Sequence, residues 1–164
     1  MNMKVWRYGD NINTDMLFPG KYTYTCSTAK EIIPHLLEDL DSSFSINVKK
    51  GDIIIAGKNF GCGSSREQPV LGLKAVGIRA IIAESFARIF YRSSINQGLM
   101  LIESPNAVRE YSDNDYIELN INKGIIKINR KEYLFPKIPK EINEIQNSGG
   151  LLEYTRLKLK KKIK

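Results

Sequence analysis

Asp52-Ile53-Ile54-Ile55-Ala56-Gly57-Lys58-Asn59-Phe60-Gly61-Cys62-Gly63-Ser64-Ser65-Arg66-Glu67-Gln68-Pro69 is the stretch on which the fold of this chain turns. The run Ile53–Ala56 is short, apolar and bounded by turn residues, the pattern of a strand buried on both faces. A glycine-rich loop, Lys58 to Arg66, follows it. Ser65 and Gln68 stand at capping-box spacing, and Pro69 is tolerated in a first turn, so the spacing predicts a helix to about Val76. Gly77 closes that helix.

Working outward, Arg79–Ala83 reads as a second buried strand. Phe86–Gln97 reads as a second helix, stopped by Gly98, and Leu99–Ile102 as a third strand. Strand, helix, strand, helix, strand is a βαβαβ unit, whose right-handed crossovers make the strands parallel. Upstream, Lys4–Tyr8 alternates as a strand and Ile12–Gly20 is a loop. Thr28–Leu40 is expected to be helical: Thr28 and Glu31 form a capping box, and Pro34 should kink or split the helix. Downstream, Tyr116–Ile121, Ile125–Ile128 and Glu132–Phe135 suggest a small antiparallel set, followed by helices at Pro139–Gln146 and Leu151–Leu157.

The expectation is an α/β chain with a parallel core and an antiparallel C-terminal addition. One domain over residues 1–157 and a lysine-rich, disordered tail over 158–164 are expected. With 164 residues, 42% hydrophobic and 26% charged, the chain has the size and composition of one globular domain. The net charge is +7, and the tail carries five lysines, so the remainder is near +2. A nucleic-acid binder carries its charge on a folded face interleaved with aromatics, so the tail argues against that class. No apolar run reaches the length of a membrane span, and the N-terminus has no secretory stretch, so a cytoplasmic location is expected.

Two cysteines, Cys26 and Cys62, and one histidine, His35, exclude a structural zinc site and an iron–sulfur cluster built by this chain alone. His35 follows Pro34 on an amphipathic stretch and reads as a boundary residue. What remains are hydroxyls, carboxylates, guanidinium groups and backbone amides. The glycine loop gathers them. Glycines let a backbone approach an anion, a helix start offers unpaired N–H groups, and Ser64, Ser65 and Arg66 add two hydroxyls and a bidentate guanidinium. Neither the phosphate-loop nor the dinucleotide glycine pattern is satisfied, since Arg66 holds the third glycine position of the latter. A small polyanionic ligand is therefore favoured.

Gly57-Lys58-Asn59-Phe60-Gly61-Cys62-Gly63-Ser64-Ser65-Arg66-Glu67 closely resembles the signature of the small subunits of 3-isopropylmalate dehydratase, the swivelling domain of the aconitase superfamily. Gly9-Asp10-Asn11-Ile12-Asn13-Thr14-Asp15 resembles the family's first loop, and Ala83–Arg92 its second block; together the likeness covers about residues 4 to 104. The resemblance implies an aconitase-swivel β/β/α domain and a hydro-lyase of leucine biosynthesis acting by dehydration and rehydration. It implies that Ser64 is the base and that Ser65 and Arg66 hold substrate carboxylate, with Gly63 in the binding turn. It further implies that Asp15 belongs to the active site, that a separate large subunit is the partner, and that this subunit carries the [4Fe–4S] cluster.

Two positions depart from the family. Gln68-Pro69 stands where members commonly have His, and Thr23 stands where a Leu commonly follows Tyr. Substrate choice resembles a matter of the loop Gly20–Ser27, in which relatives acting on an extra carboxylate carry Arg where this chain has Tyr24. With Thr25 beside it, Tyr24 favours an alkyl-substituted malate, chiefly 3-isopropylmalate. 2,3-Dimethylmalate, citramalate and homoaconitate remain alternatives, and a non-catalytic anion-binding module is the alternative of a different class.

Overall fold

The computed structural model describes residues 3–162. Among these, the chain runs through β1 (Val5–Arg7), α1 (Thr14–Leu17), α2 (Ala29–Ile32), α3 (Phe44–Asn47), β2 (Ile53–Ala56), α4 (Gln68–Ala75) and β3 (Ala80–Ala83). It continues through α5 (Arg88–Gln97), β4 (Leu101–Glu103), α6 (Pro105–Glu110), β5 (Ile117–Asn120), β6 (Ile125–Ile128), β7 (Lys131–Leu134), α7 (Lys140–Asn147) and α8 (Leu151–Lys162).

β1 to β4 pair in sequence order, all parallel, and β5 to β7 form a separate antiparallel sheet. The strand periodicity of two sorts the side chains of the parallel sheet into two cores. Trp6, Ile54, Ala56, Ile81, Ala83 and Leu101 face the layer that holds α2, α4 and α5. Ile53, Ile55, Ala80, Ile82 and Ile102 instead pack against Val108 of α6 and Leu119, Ile126 and Ile128 of the antiparallel sheet. The result is a β/β/α sandwich in which β2 and β3 are buried at every position, as expected for strands covered on both sides. At the N-terminal end of the sheet, buried Asp52 accepts from Trp6 Nε1, Lys4 N and Lys49 N, tying β1 to β2.

Several expected elements differ. The helix expected over Thr28–Leu40 shrinks to α2 plus a 3-10 turn, Ile33–His35. The Thr28–Glu31 capping box is present. Pro34 has no N–H to continue the helix, and Leu37 adopts φ +55° and donates its N–H to Leu17 O, burying Leu36 and Leu37 together. The Ser65–Gln68 capping box does not form: α4 starts at Gln68 with Glu67 as its cap residue, and the Gln68 amide is drawn to Thr23 O instead. α5 begins at Arg88 rather than Phe86, because Phe86 is held in a parallel bridge with Phe60. At the other end, α8 runs past the expected boundary at Leu157 to Lys162, so much of the lysine-rich stretch is helical.

Candidate active site

The loops leaving β1, β2 and β3 all emerge at the C-terminal edge of the parallel sheet, where α/β folds place their ligands. They extend the sheet as backbone bridges. Gly57 N donates to Gly9 O, Asn11 N to Lys58 O, Gly61 N to Ile12 O and Thr14 N to Cys62 O, at 2.7–3.0 Å. On the other side Phe60 N donates to Ser85 O and Ala87 N to Phe60 O. The serine loop is thus a central strand of irregular backbone, clamped between its neighbours.

Two glycines make that clamp possible. Gly61 adopts φ +77°, and a Cβ there would lie 2.1 Å from the Phe90 ring of α5. Gly63 adopts φ +105°, and its Cβ would lie 2.9 Å from Thr14 Oγ1. Both conditions require glycine: a left-handed φ and a neighbour inside van der Waals contact.

Arg66 organises the side chains. Its Nε donates to Ser64 Oγ at 2.7 Å, Nη1 to Thr23 Oγ1 at 2.9 Å and Nη2 to Asp15 Oδ1 at 2.6 Å. A guanidinium carries five N–H donors, so one N–H on each of Nη1 and Nη2 stays free for a carboxylate. The Arg66 side chain is 15% exposed, whereas that of Asp15 is 67% exposed. Ser64 and Ser65 are open to solvent. Ser64 Oγ lies 3.2 Å from Thr14 Oγ1, and the Ser64 amide donates to the same Thr14 oxygen at 2.9 Å.

The structure therefore gathers Asp15, Gly63, Ser64 and Arg66 into one connected cluster, with Ser65 adjacent in the loop. Tyr24 and Thr25 stand at its margin. They are carried by the turn after the 3-10 segment Gly20–Tyr22, which Arg66 and Gln68 fasten to the serine loop through Thr23. Thr25 Oγ1 donates within the turn to Tyr22 O. Tyr24 is 98% exposed. Tyr22 turns the other way and stacks on His35 at 3.7 Å, and His35 meets Glu38 at 2.7 Å. Burial opposes ionisation of Glu38, but hydrogen bonds from Lys21 and His35 outweigh it and hold that carboxyl below its ordinary range. The histidine belongs to the packing that supports the loop.

The sequence pattern does not single out Thr14 or Thr23 as the hydrogen-bond partners of Ser64 and Arg66. The Asn13-Thr14-Asp15 run is expected as a loop that brings Asp15 to the site; instead Asn13 caps the short helix α1 by accepting from Met16 N, and that turn buries Thr14. A threonine preceding the aspartate and an Asx cap was the signal available. Two surface hollows lie elsewhere: one of about 790 Å³ along β1 and one of about 530 Å³ between β4 and α7. The serine cluster sits instead on an open rim, with exposed Met16 and Tyr24 next in sequence to Asp15 and Thr23.

A family model described as the aconitase C-terminal domain matches residues 8–107. A protein of Thermodesulfovibrio yellowstonii named 3-isopropylmalate dehydratase small subunit is 49% identical over 158 residues, covering 95% of this chain and 94% of that protein. A protein of the same name from Aquifex aeolicus is 46% identical over 162 residues, covering 97% and 96%. The crystal structure of a 3-isopropylmalate dehydratase from Methanocaldococcus jannaschii superposes with a TM-score of 0.87 at 40% identity, covering 98% of this chain and 95% of that one.

Proposed function

Since the chain belongs to the aconitase C-terminal domain family and, within it, to the small subunits of 3-isopropylmalate dehydratase, we propose that its serine loop supplies the base and the carboxylate clamp of that hydro-lyase. The reaction interconverts 2-isopropylmalate and 3-isopropylmalate by loss and return of water, a step of leucine biosynthesis.

The observation that carries the assignment is the 2.7 Å hydrogen bond from Arg66 Nε to Ser64 Oγ. A serine hydroxyl is a very weak base, and it serves as one only where fixed donors stabilise its alkoxide. A guanidinium N–H makes a charge-assisted hydrogen bond, about twice as strong as a neutral one. In the dehydration direction Ser64 Oγ takes the proton from the carbon beside a carboxylate. The electron pair of that C–H bond becomes the double bond as the neighbouring carbon's hydroxyl departs with its bonding pair and, taking up a proton from solvent, is released as water. The free N–H groups of Arg66, with the Ser65 hydroxyl beside them, hold the carboxylate. Asp15 fixes the far end of Arg66 through Nη2 and presents its remaining oxygen at the exposed rim. In this reading Tyr24 covers the alkyl group of the substrate, since an exposed ring gains by burying apolar surface.

This chain does not fit a [4Fe–4S] cluster. Such a cluster takes three or four thiolates, whereas the sequence holds two cysteines; Cys26 is buried, and the Cys62 thiol faces Asn11 O. The cluster is assigned to the large subunit, which closes over the rim. The cytoplasm is the proposed compartment, where Cys26 and Cys62 stay as free thiols.

The test is anaerobic co-expression with the large subunit and an assay of unsaturated product from 3-isopropylmalate, 2,3-dimethylmalate, citramalate and homocitrate. Preferred turnover of 3-isopropylmalate is the expected result. Preference for a smaller alkylmalate would keep the base and overturn the substrate. A cluster-loaded complex that turns over none of the four would overturn both.

A further inference from the structure

We propose that Thr14 is a positioning residue for the base: its hydroxyl sets the direction of the Ser64 proton and shares in holding the alkoxide. This rests on the assignment of Ser64 as the base and goes one residue further. Thr14 is 1% exposed, one of four buried polar or charged residues among those described. Its place is fixed from three sides: its N–H donates to Cys62 O at 2.8 Å, its carbonyl accepts from Phe18 N at 3.0 Å, and Asn13 caps the turn that carries it.

The hydroxyl has one proton and two lone pairs. The Ser64 amide takes one lone pair at 2.9 Å. The large majority of buried hydroxyl groups are paired in folded proteins, and among the described residues the acceptor in reach is Ser64 Oγ at 3.2 Å. Thr14 therefore donates to Ser64. Arg66 Nε can only donate, and it too points at Ser64 Oγ, at 2.7 Å. Both lone pairs of the serine oxygen are then occupied by fixed donors, and its own proton takes the remaining direction, toward the open rim. That proton is the one Ser64 gives to the substrate carbon as water returns; the lone pair it vacates faces the substrate and takes the proton back in the dehydration direction, while the other two stay held. Gly63 permits the approach, because any Cβ there would press on the Thr14 oxygen.

The test uses the complete two-subunit enzyme with Thr14→Val, Thr14→Ser and Ser64→Ala made in parallel. Valine keeps the shape and removes the hydroxyl; serine keeps the hydroxyl and removes the methyl. With Thr14→Val, kcat should fall about 10²-fold, the scale of losing one donor to an oxyanion, while KM stays within about twofold because the carboxylate clamp is untouched. Thr14→Ser should restore kcat to within about threefold of the parent. A structural role would show the opposite sorting, with both variants lowering the melting temperature and neither separating kcat from KM. In the isolated chain, hydrogen exchange at the Ser64 amide should be faster in Thr14→Val and unchanged in Thr14→Ser, a readout independent of turnover. Full activity in Thr14→Val beside an inactive Ser64→Ala overturns the Thr14 inference alone. Loss in Thr14→Ser equal to that in Thr14→Val also overturns it. An active Ser64→Ala overturns the base assignment beneath it.

Discussion

Arg66 Nε meets Ser64 Oγ at 2.7 Å, although the two side chains leave the backbone only two residues apart. That short loop closure commits the guanidinium. With Nε on the serine, Nη1 and Nη2 fall on Thr23 and Asp15, elements that lie 43 and 51 residues away in sequence. One residue thus holds the proposed base Ser64, the loop that carries Thr23 and Tyr24, and Asp15 in register.

Arg66→Lys should break this three-way contact, because a single ammonium cannot reach all three oxygens in one geometry. The expected outcome in the assembled enzyme is a fall in kcat/KM of about 10²-fold or more, by the scale of one lost oxyanion donor. The melting temperature should barely move, since the Arg66–Asp15 pair has an exposed carboxylate and such pairs contribute about 0–1 kcal/mol. Steady-state kinetics beside a thermal melt checks both halves.

Gly63→Ala should cost about 1–3 kcal/mol of stability, the range for a non-glycine residue forced into strained backbone, and should move Ser64 off Thr14. The contact with Thr14 Oγ1 at 2.9 Å leaves no alternative to displacement. Gly9→Ala is the matched control, since nothing lies within 4 Å of its Cβ position. Equal melting temperatures for the two variants would contradict the account of the loop.

Tyr24→Ala should leave the stability of the chain within about 0.5 kcal/mol, as for surface substitutions generally, because the ring is 98% exposed. In the two-subunit enzyme the same change should raise KM for 3-isopropylmalate more than for malates with a smaller alkyl group. A uniform effect across the substrates would remove Tyr24 from the specificity loop.

The parts of this arrangement differ in how plainly the sequence spells them. Ile53–Ala56 and Ala80–Ala83 are legible as buried parallel strands because burial on both faces demands continuous apolar runs. Thr28 and Glu31 announce their cap through local chemistry alone. Ser64 and Arg66 stand out because their loop is glycine-rich and follows such a strand. Leu37 at φ +55° was not legible: its conformation is imposed by a hydrogen bond to Leu17 and by the core around it, neither of which is a local signal. Thr14 was illegible for a similar reason, since its partner Ser64 lies 50 residues away. Gln68 misled because its capping spacing was real, but the carbonyl of Thr23 competed for the amide and won.

The cap at Thr28 also sets a pH dependence. The Thr28 N–H first, and then that of Ser27, hydrogen-bond the Glu31 carboxylate and lower its pKa to about 2. A carboxyl whose folded pKa is depressed stabilises the fold fully above its unfolded value and loses that stabilisation as pH falls through the folded one. Stability contributed by the cap should therefore decline between about pH 4.5 and pH 2. Glu31→Gln should flatten that part of the acid-unfolding curve; an unchanged curve would mean that the cap does not titrate in this window.

The most direct measurement is exchange of the substrate C–H hydrogen with solvent deuterium, followed with turnover in the two-subunit enzyme carrying Ser64→Ala. If Ser64 is the base, exchange and product formation should both fall by about 10³-fold or more, the upper scale for losing a positioned base, while 3-isopropylmalate still binds to the Arg66 clamp with a Kd within about tenfold of the parent. Exchange persisting near the parental rate in Ser64→Ala would contradict the account, because another group would then be removing the proton.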